Sequence, residues 1–569
     1  MKKSKFSLIL SLLLVLSLFL AACSGKDDKA GTKPADGKDN DKEKEEQLAD
    51  TQEVRILESA EIPGMDSAKV SDTVSFTMIN ATQEGLYRQN QKNEFEPAIA
   101  EGDPEMSSDG KEYTIKLKQD IKWDNGDPVT AHDFVYGWQR AIDPKTKSDY
   151  GYYMMDHKIL GAAEITQAGA DNKQYDLNTL GVKAEDDYTL KVQTEKPMTV
   201  EFFKGLMAFG TYMPQNEKFV TAQNGKYAAK AENLLSNGPF KMTKWEGPTS
   251  SEWVMEKNES YRDAANVNIT KLTFNVSKEP QASVNALEAG EVDITPKLGS
   301  DVVPQYEKDP RMLRWLEPTI FWLKMNQKGN DALKNVNIRK AIAQAFNKED
   351  LASAVLNNGS KPANFAVPAD FVKDSKGEDF RKGNGDMLTY NPEEAKKAWE
   401  QGLKEIGKKE VTIRYLGGDT ETSKKTDQYM KNQLEKNLPG LKIKLESVPF
   451  KIRLDRDVKQ DYDLQAAGWG PDYLDPISFS DLWVTDGGNN KMSYSNPEYD
   501  KLIQDAQNTS DADARWEMLQ KAEKIVMDDA AIAPMYQRAS NLLIQPKVKG
   551  FAYHLVGPEY SYQYMKVLK

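Results

Sequence analysis

Cysteine is almost missing from this chain: Cys23 is the only one in 569 residues. An internal disulfide is therefore excluded, and the core must hold the fold unaided. Length makes that easy, since large chains bury a large share of their surface. Histidine is scarce too, with His132, His157 and His554 far apart in sequence, so the count nearly excludes a His/Cys metal site. No Gly-x-x-x-x-Gly-Lys-Ser/Thr phosphate loop occurs, which argues against ATP hydrolysis by this chain, and no Gly-x-Ser-x-Gly elbow marks a serine hydrolase. Past residue 20 no apolar run is long enough to cross a bilayer. Positive charge is in deficit: 76 Lys and Arg face 88 Asp and Glu, a formal net charge of −12. That balance disfavours nucleic acid and any broad electrostatic grip on anionic lipid.

What is present begins with an address. Lys2, Lys3 and Lys5 form a basic start, and residues 6–20 are apolar apart from serines, the shape of a signal-peptide core. The run ends in Leu20-Ala-Ala-Cys23, which resembles a lipobox and implies signal peptide 1–22 and acylation of Cys23 as the new N-terminus. Two acyl chains anchor stably where one is marginal. Residues 24–50 carry almost no apolar side chain and read, with Cys23, as a lipidated, solvated tether over 23–50.

The remaining chain mixes strand and helix periods, which reads as α/β (mixed α+β) in several lobes. Strands are expected over 53–57, 112–123, 253–257, 271–276, 291–295, 410–416 and 441–448. Thr130 with Asp133 opens a helix carrying Phe134, Trp138 and Ile142. Asn391-Pro392-Glu-Glu394 starts another that ends before Gly407, and Gly290 closes a third. A helix over 421–437 and an apolar face of Trp516, Leu519, Ala522 and Ile525 complete the pattern.

The chemistry concentrates in residues 465–476, Gln-Ala-Ala-Gly-Trp-Gly-Pro-Asp-Tyr-Leu-Asp-Pro, behind a strand-like run over 462–467. Gly468, Gly470 and Pro471 are expected to break that strand. Asp472 lies between the rings of Trp469 and Tyr473, where a carboxylate can pair with a cation in a partly dry site. Asp in a turn more often caps local N–H groups. Other rings fall near expected loop or strand ends: Phe321-Trp322, Tyr150, Tyr152-Tyr153 and Trp483. Most such rings build core, and a minority line clefts.

The stretch around Asp472 resembles the Gly-Trp-x-x-Asp-Tyr-x-x-Pro segment of the peptide-binding solute-binding proteins that serve ABC importers. Residues 95–101, Lys122-Trp-Asp-Asn-Gly-Asp-Pro-Val-Thr-Ala-His-Asp-Phe134, Ser236-Asn-Gly-Pro-Phe240, Gly290-Glu-Val-Asp293 and Asn335-Val-Asn-Ile-Arg-Lys-Ala341 are similar to further segments of that family, in family order. The oligopeptide-binding branch is the nearest in kind.

The resemblance implies a two-lobed periplasmic-binding-protein-like fold with a two-segment hinge and an extra subdomain. Lobe I would take 51–83, 206–317 and 541–569, the extra subdomain 84–205, and the last lobe 318–540. It implies a monomer without enzymatic activity or cofactor, which binds oligopeptides and delivers them to ABC transporter permease subunits from the bilayer surface. Asp472 would hold the ligand's α-amino group. Ser71, Asp72 and Thr73 on one side and Ala467, Gly468 and Trp469 on the other would offer strand edges. Phe321, Trp322, Tyr153 and Tyr473 would add aromatic walls. Relatives of the same fold bind dipeptides, signalling peptides, nickel chelates or glycans. Some carry Arg six residues before the amine-binding Asp. Here that position is Ala466, so carboxylate recognition of short peptides must come from elsewhere or be lost.

Overall fold

The computed structural model describes residues 47–509 and 511–569. The expectations for residues 1–22, for Cys23 and for most of the tether lie outside them. Three sheets carry the architecture. In the first, Glu53–Glu58 runs parallel to Lys271–Val276, which is flanked by Glu252–Lys257 and then Phe240–Lys244. Val54 and Ile56 alternate inward, as a half-buried strand requires. The second sheet orders Glu105–Met106, Glu112–Lys116, Thr189–Gln193 and Val182–Asp186. The helix Ala131–Ile142 packs on it with Phe134 and Trp138 fully buried. Its start is the expected capping box, with the Thr130 N–H donating to Asp133 at 2.7 Å.

The third sheet has six strands, in the order Lys361–Pro362, Ile532–Leu543, Met312–Met325, Leu464–Trp469, Val411–Gly418 and Leu441–Val448. Val411–Gly418 and Leu441–Val448 are parallel and joined through the helix Glu421–Asn437, the expected βαβ unit. Asn391 caps the helix Pro392–Glu405, accepting from Glu394 N, and Gly407 just beyond takes φ +67°, where a side chain would be strained.

Three strand expectations change. Residues 112–123 are strand only to Lys116; beyond it the chain makes single bridges at Leu117 and Lys122. Residues 291–295 form no strand: Ile294 bridges singly to Ile56 and to Ile544. The strand before Asp472 does not break at Gly468 but runs to Trp469, because Ile320–Met325 supplies antiparallel partners along its whole length.

The two long strands Met312–Met325 and Ile532–Leu543 lie side by side, with register shifts between Leu316 and Ile320 and between Phe321 and Trp322. Such bulges bend and twist a strand pair. Beside the first shift Glu317 receives Arg538 Nε at 2.6 Å, Lys297 Nζ at 3.0 Å and the Ser540 hydroxyl. None of the described helices is long and apolar enough to cross a membrane.

Candidate functional site

A cavity of about 570 Å³ opens along the third sheet. Its wall combines the segment 63–76 with parts of 315–324, the helix Phe450–Val458, residues 465–472 and the turn near His554 and Glu559.

Strand pairing leaves one edge of the cavity wall partly open. Leu464–Trp469 is paired with Met325–Ile320 along all its residues, but with Val411–Gly418 only at Leu464 and Gln465. From Ala466 to Trp469 the second edge has no strand beside it. An unpaired edge is a template for another strand.

The carboxylate of Asp472 stands past the end of that edge and is 9% exposed. Its backbone N–H donates to Ser478 Oγ at 3.0 Å, which fixes the turn. Its Oδ2 has no hydrogen-bond partner. Burial pushes its pKa up to about 7; the Tyr150 hydroxyl pulls it down, nearby Asp481 raises it, and Tyr153 and Lys158 lower it. The Tyr150 and Tyr153 hydroxyls are the hydrogen-bonding neighbours that favour its charged form, and Oδ2 is left with acceptor capacity unused. Gln465 Oε1, Asn489 Nδ2 and the indole N–H groups of Trp322 and Trp469 are likewise buried without partners, and all four residues line the cavity.

The expected site residues divide. Asp472, Trp469, Gly468, Ala467, Ser71, Asp72, Thr73, Phe321 and Trp322 all line the cavity. Tyr473 and Tyr153 do not. The ring of Tyr473 is turned away, 2% exposed, edge-on to Phe202 at 5.5 Å with Lys158 Nζ 5.6 Å from its centre. Tyr153 stands behind Trp469 at 5.7 Å and donates its hydroxyl to Ser478 O at 3.1 Å, bracing the Asp472 turn from outside.

Residues 71–73 differ in kind from expectation. Asp72, in extended backbone, caps the helix Thr73–Thr82 by accepting from Ser75 N at 2.9 Å. They face the cavity as an extended lead-in to a helix, with no strand among the described residues beside it. Burial raises the Asp72 pKa to about 6 against those capping bonds.

Sequence reasoning missed Gln465, Arg453, Asn489, Arg538 and His554 as wall residues. Gln465 lay inside the quoted motif. The others carried no local signal, because only the folded sheet brings them to one cavity.

A cavity lined by the third sheet and by segments packed against it, with a strand edge that lacks a neighbouring strand, defines the class as a binding protein built on mixed α/β lobes. Residues 94–491 match the bacterial extracellular solute-binding proteins, family 5 Middle. The chain is 33% identical to the oligopeptide-binding protein OppA of Bacillus subtilis over 562 residues, 96% of this chain and 97% of that protein. Among solved structures, Listeria monocytogenes OppA bound to peptide superposes with a TM-score of 0.87 at 41% identity, covering 92% of this chain and all of that one. The substrate-binding domain of an oligopeptide ABC transporter from Bacillus anthracis gives a TM-score of 0.88 at 38% identity, with 92% and 100% covered. The chain belongs to the family 5 extracellular solute-binding proteins, has their two-lobed fold, and is not an enzyme.

Proposed function

We propose that this protein captures oligopeptides in the cavity and hands them to the permease subunits of an ABC transporter, tethered to the outer face of the cell membrane through acylated Cys23. The lobes would divide as the resemblance implies, with the two long strands as the hinge. One observation carries the reading: an acid with an unpartnered oxygen stands past the end of an unpaired strand edge inside one cavity. Backbone pairing along 466–469 would hold any extended peptide irrespective of sequence, and Asp472 would fix where it starts. Trp469 and Trp322 would exclude water around the pair, which strengthens it.

Calorimetry with a free peptide and its N-acetylated twin tests this. The acetyl form should bind about 2–5 kcal/mol more weakly, the usual cost of leaving one partner of a buried charge pair alone. Equal affinities would remove Asp472 from the site. Release of labelled peptide to vesicles bearing the transporter would test delivery, and radiolabelled palmitate incorporation lost in Cys23→Ala would test the anchor.

A further inference from the structure

Three of the cations on the cavity wall are already spent inside the protein. Lys324 Nζ meets Asp457 at 2.6 Å, and Arg538 meets both Glu317 and Glu559. Lys451 pairs with Asp455 one turn on. Arg453 is different. It rises from the helix Phe450–Val458, and its Nη1 donates to the Ala466 carbonyl at 2.7 Å. No carboxylate oxygen among the described residues stands within 4.0 Å of it. The Phe450 ring lies 5.1 Å from Cζ and fixes the plane of the group.

A guanidinium offers five N–H donors in a rigid fork, and here one nitrogen has found an acceptor. The nearest acids do not serve it. Asp457 is taken by Lys324, and burial pushes Asp427 up to about 7, where it is half neutral. Burial lowers the pKa of Arg453, against the pull of Asp457 and Asp427. A half-buried cation with no carboxylate in contact is costly to keep, and an anion is the partner that would satisfy it. Lys69, Lys147 and Lys491 also reach the cavity, but on flexible stems; of these four Arg453 alone is held by a hydrogen bond to the strand edge.

Position gives the anion its identity. Arg453 is tied to Ala466, where the unpaired edge begins, whereas Asp472 lies beyond the far end. We infer that Arg453 receives a carboxylate of the bound peptide, opposite in sign to the Asp472 contact and at the other end of the same open edge. This rests on the peptide reading and adds a second anchor to it. Six residues of chain separate Ala466 from Asp472; at about 3.3 Å per extended residue that is at most on the order of 20 Å, shortened by the turn at Gly470-Pro471. The span suits roughly three to five peptide residues. The carboxylate is then either the C-terminus of a short peptide or an acidic side chain of a longer one.

The test measures tri-, tetra- and pentaalanine as free acids and as C-terminal amides, with amidated pentapeptides carrying Glu at position 3, 4 or 5. Wild type, Arg453→Gln and Arg453→Lys are compared by calorimetry. Wild type should bind at least one acid tenfold or more tighter than its neutral counterpart. Arg453→Gln should bring that ratio to about one whatever it does to the amides through the lost Ala466 bond, and Arg453→Lys should restore part of it. A ratio confined to free acids points to the C-terminus, and one that follows Glu points to a side chain; both support the inference. It is overturned if wild type binds amides and acids alike, or if Arg453→Gln keeps the wild-type ratio. Should wild type bind none of these peptides, the peptide reading itself falls, and this inference with it.

Discussion

The ring of Phe321 occupies the space that a side chain on residue 468 would need: a Cβ at Gly468 would stand 2.6 Å from two of its ring atoms. Phe321 is in turn stacked on Tyr536, centroids 4.8 Å apart and nearly parallel, so the ring can yield only toward the cavity. The bare backbone of Gly468 is thereby left open on the cavity side.

Gly468→Ala should therefore push Phe321 into the peptide path or lift the strand from its neighbour. Overpacking of this kind costs about 1–3 kcal/mol. We expect peptide affinity to drop roughly tenfold or more on that energy scale, read by calorimetry. Gly470→Ala, whose Cβ would meet only the Thr319 hydroxyl at 3.1 Å, should cost less.

Peptide affinity should depend on pH through Asp472. Its pKa in the empty protein is about 7, and a bound ammonium favours the ionised form and lowers it. Affinity is then greatest between the Asp472 pKa and that of the peptide's α-amino group at about 8, and declines as pH falls below 7, approaching tenfold per unit while the free site is protonated and the bound one is not. Near pH 6, binding should release close to one proton, seen as a dependence of calorimetric heat on the buffer. In Asp472→Asn the release should vanish; a wild-type profile in that variant would exclude Asp472 as the titrating group.

The same group should make the empty protein less stable at alkaline pH. Burial raises the folded-state pKa of Asp472 above its ordinary 3.8. The fold favours the neutral acid: the contribution is fully present below pH 4 and is lost as pH rises through about 7. Asp472→Asn should therefore stabilise the ligand-free protein at pH 8 by on the order of 3 kcal/mol and raise its Tm, while weakening peptide binding. Thermal melts at pH 5 and pH 8 would check this, the gain shrinking at the lower pH.

Between the two long strands, Glu317 is held well below the ordinary carboxylate range; burial opposes this, and Arg538 and Lys297 overcome it. Glu317→Gln would leave Arg538 and Lys297 with Glu559 as their remaining acid. Breaking a buried pair costs about 3–5 kcal/mol, so urea denaturation at pH 7 should show a loss of that order. Because the depressed group stabilises above its ordinary pKa, the difference from wild type should narrow as pH falls below 4.

Local sequence determined the pieces that depend on near neighbours. The capping box at Thr130 and the Asn391 cap are set by contacts a few residues apart, and the strand and helix periods from Val411 to Val448 and the apolar face around Leu519 and Ala522 are patterns of neighbouring side chains. The motif around Asp472 was legible for the same reason, together with its order among the other family segments. What only the tertiary structure decided involves partners far apart in the chain. The strand through Gly468 continues because Ile320–Met325 pairs with it, Asp72 caps a helix from extended backbone, and Tyr473 turns toward Phe202. Arg453 reaches the cavity only because its helix lies against the strand that carries Ala466. A pattern of side chains can state which face of an element is apolar, but not which other element will arrive to cover it or leave it bare.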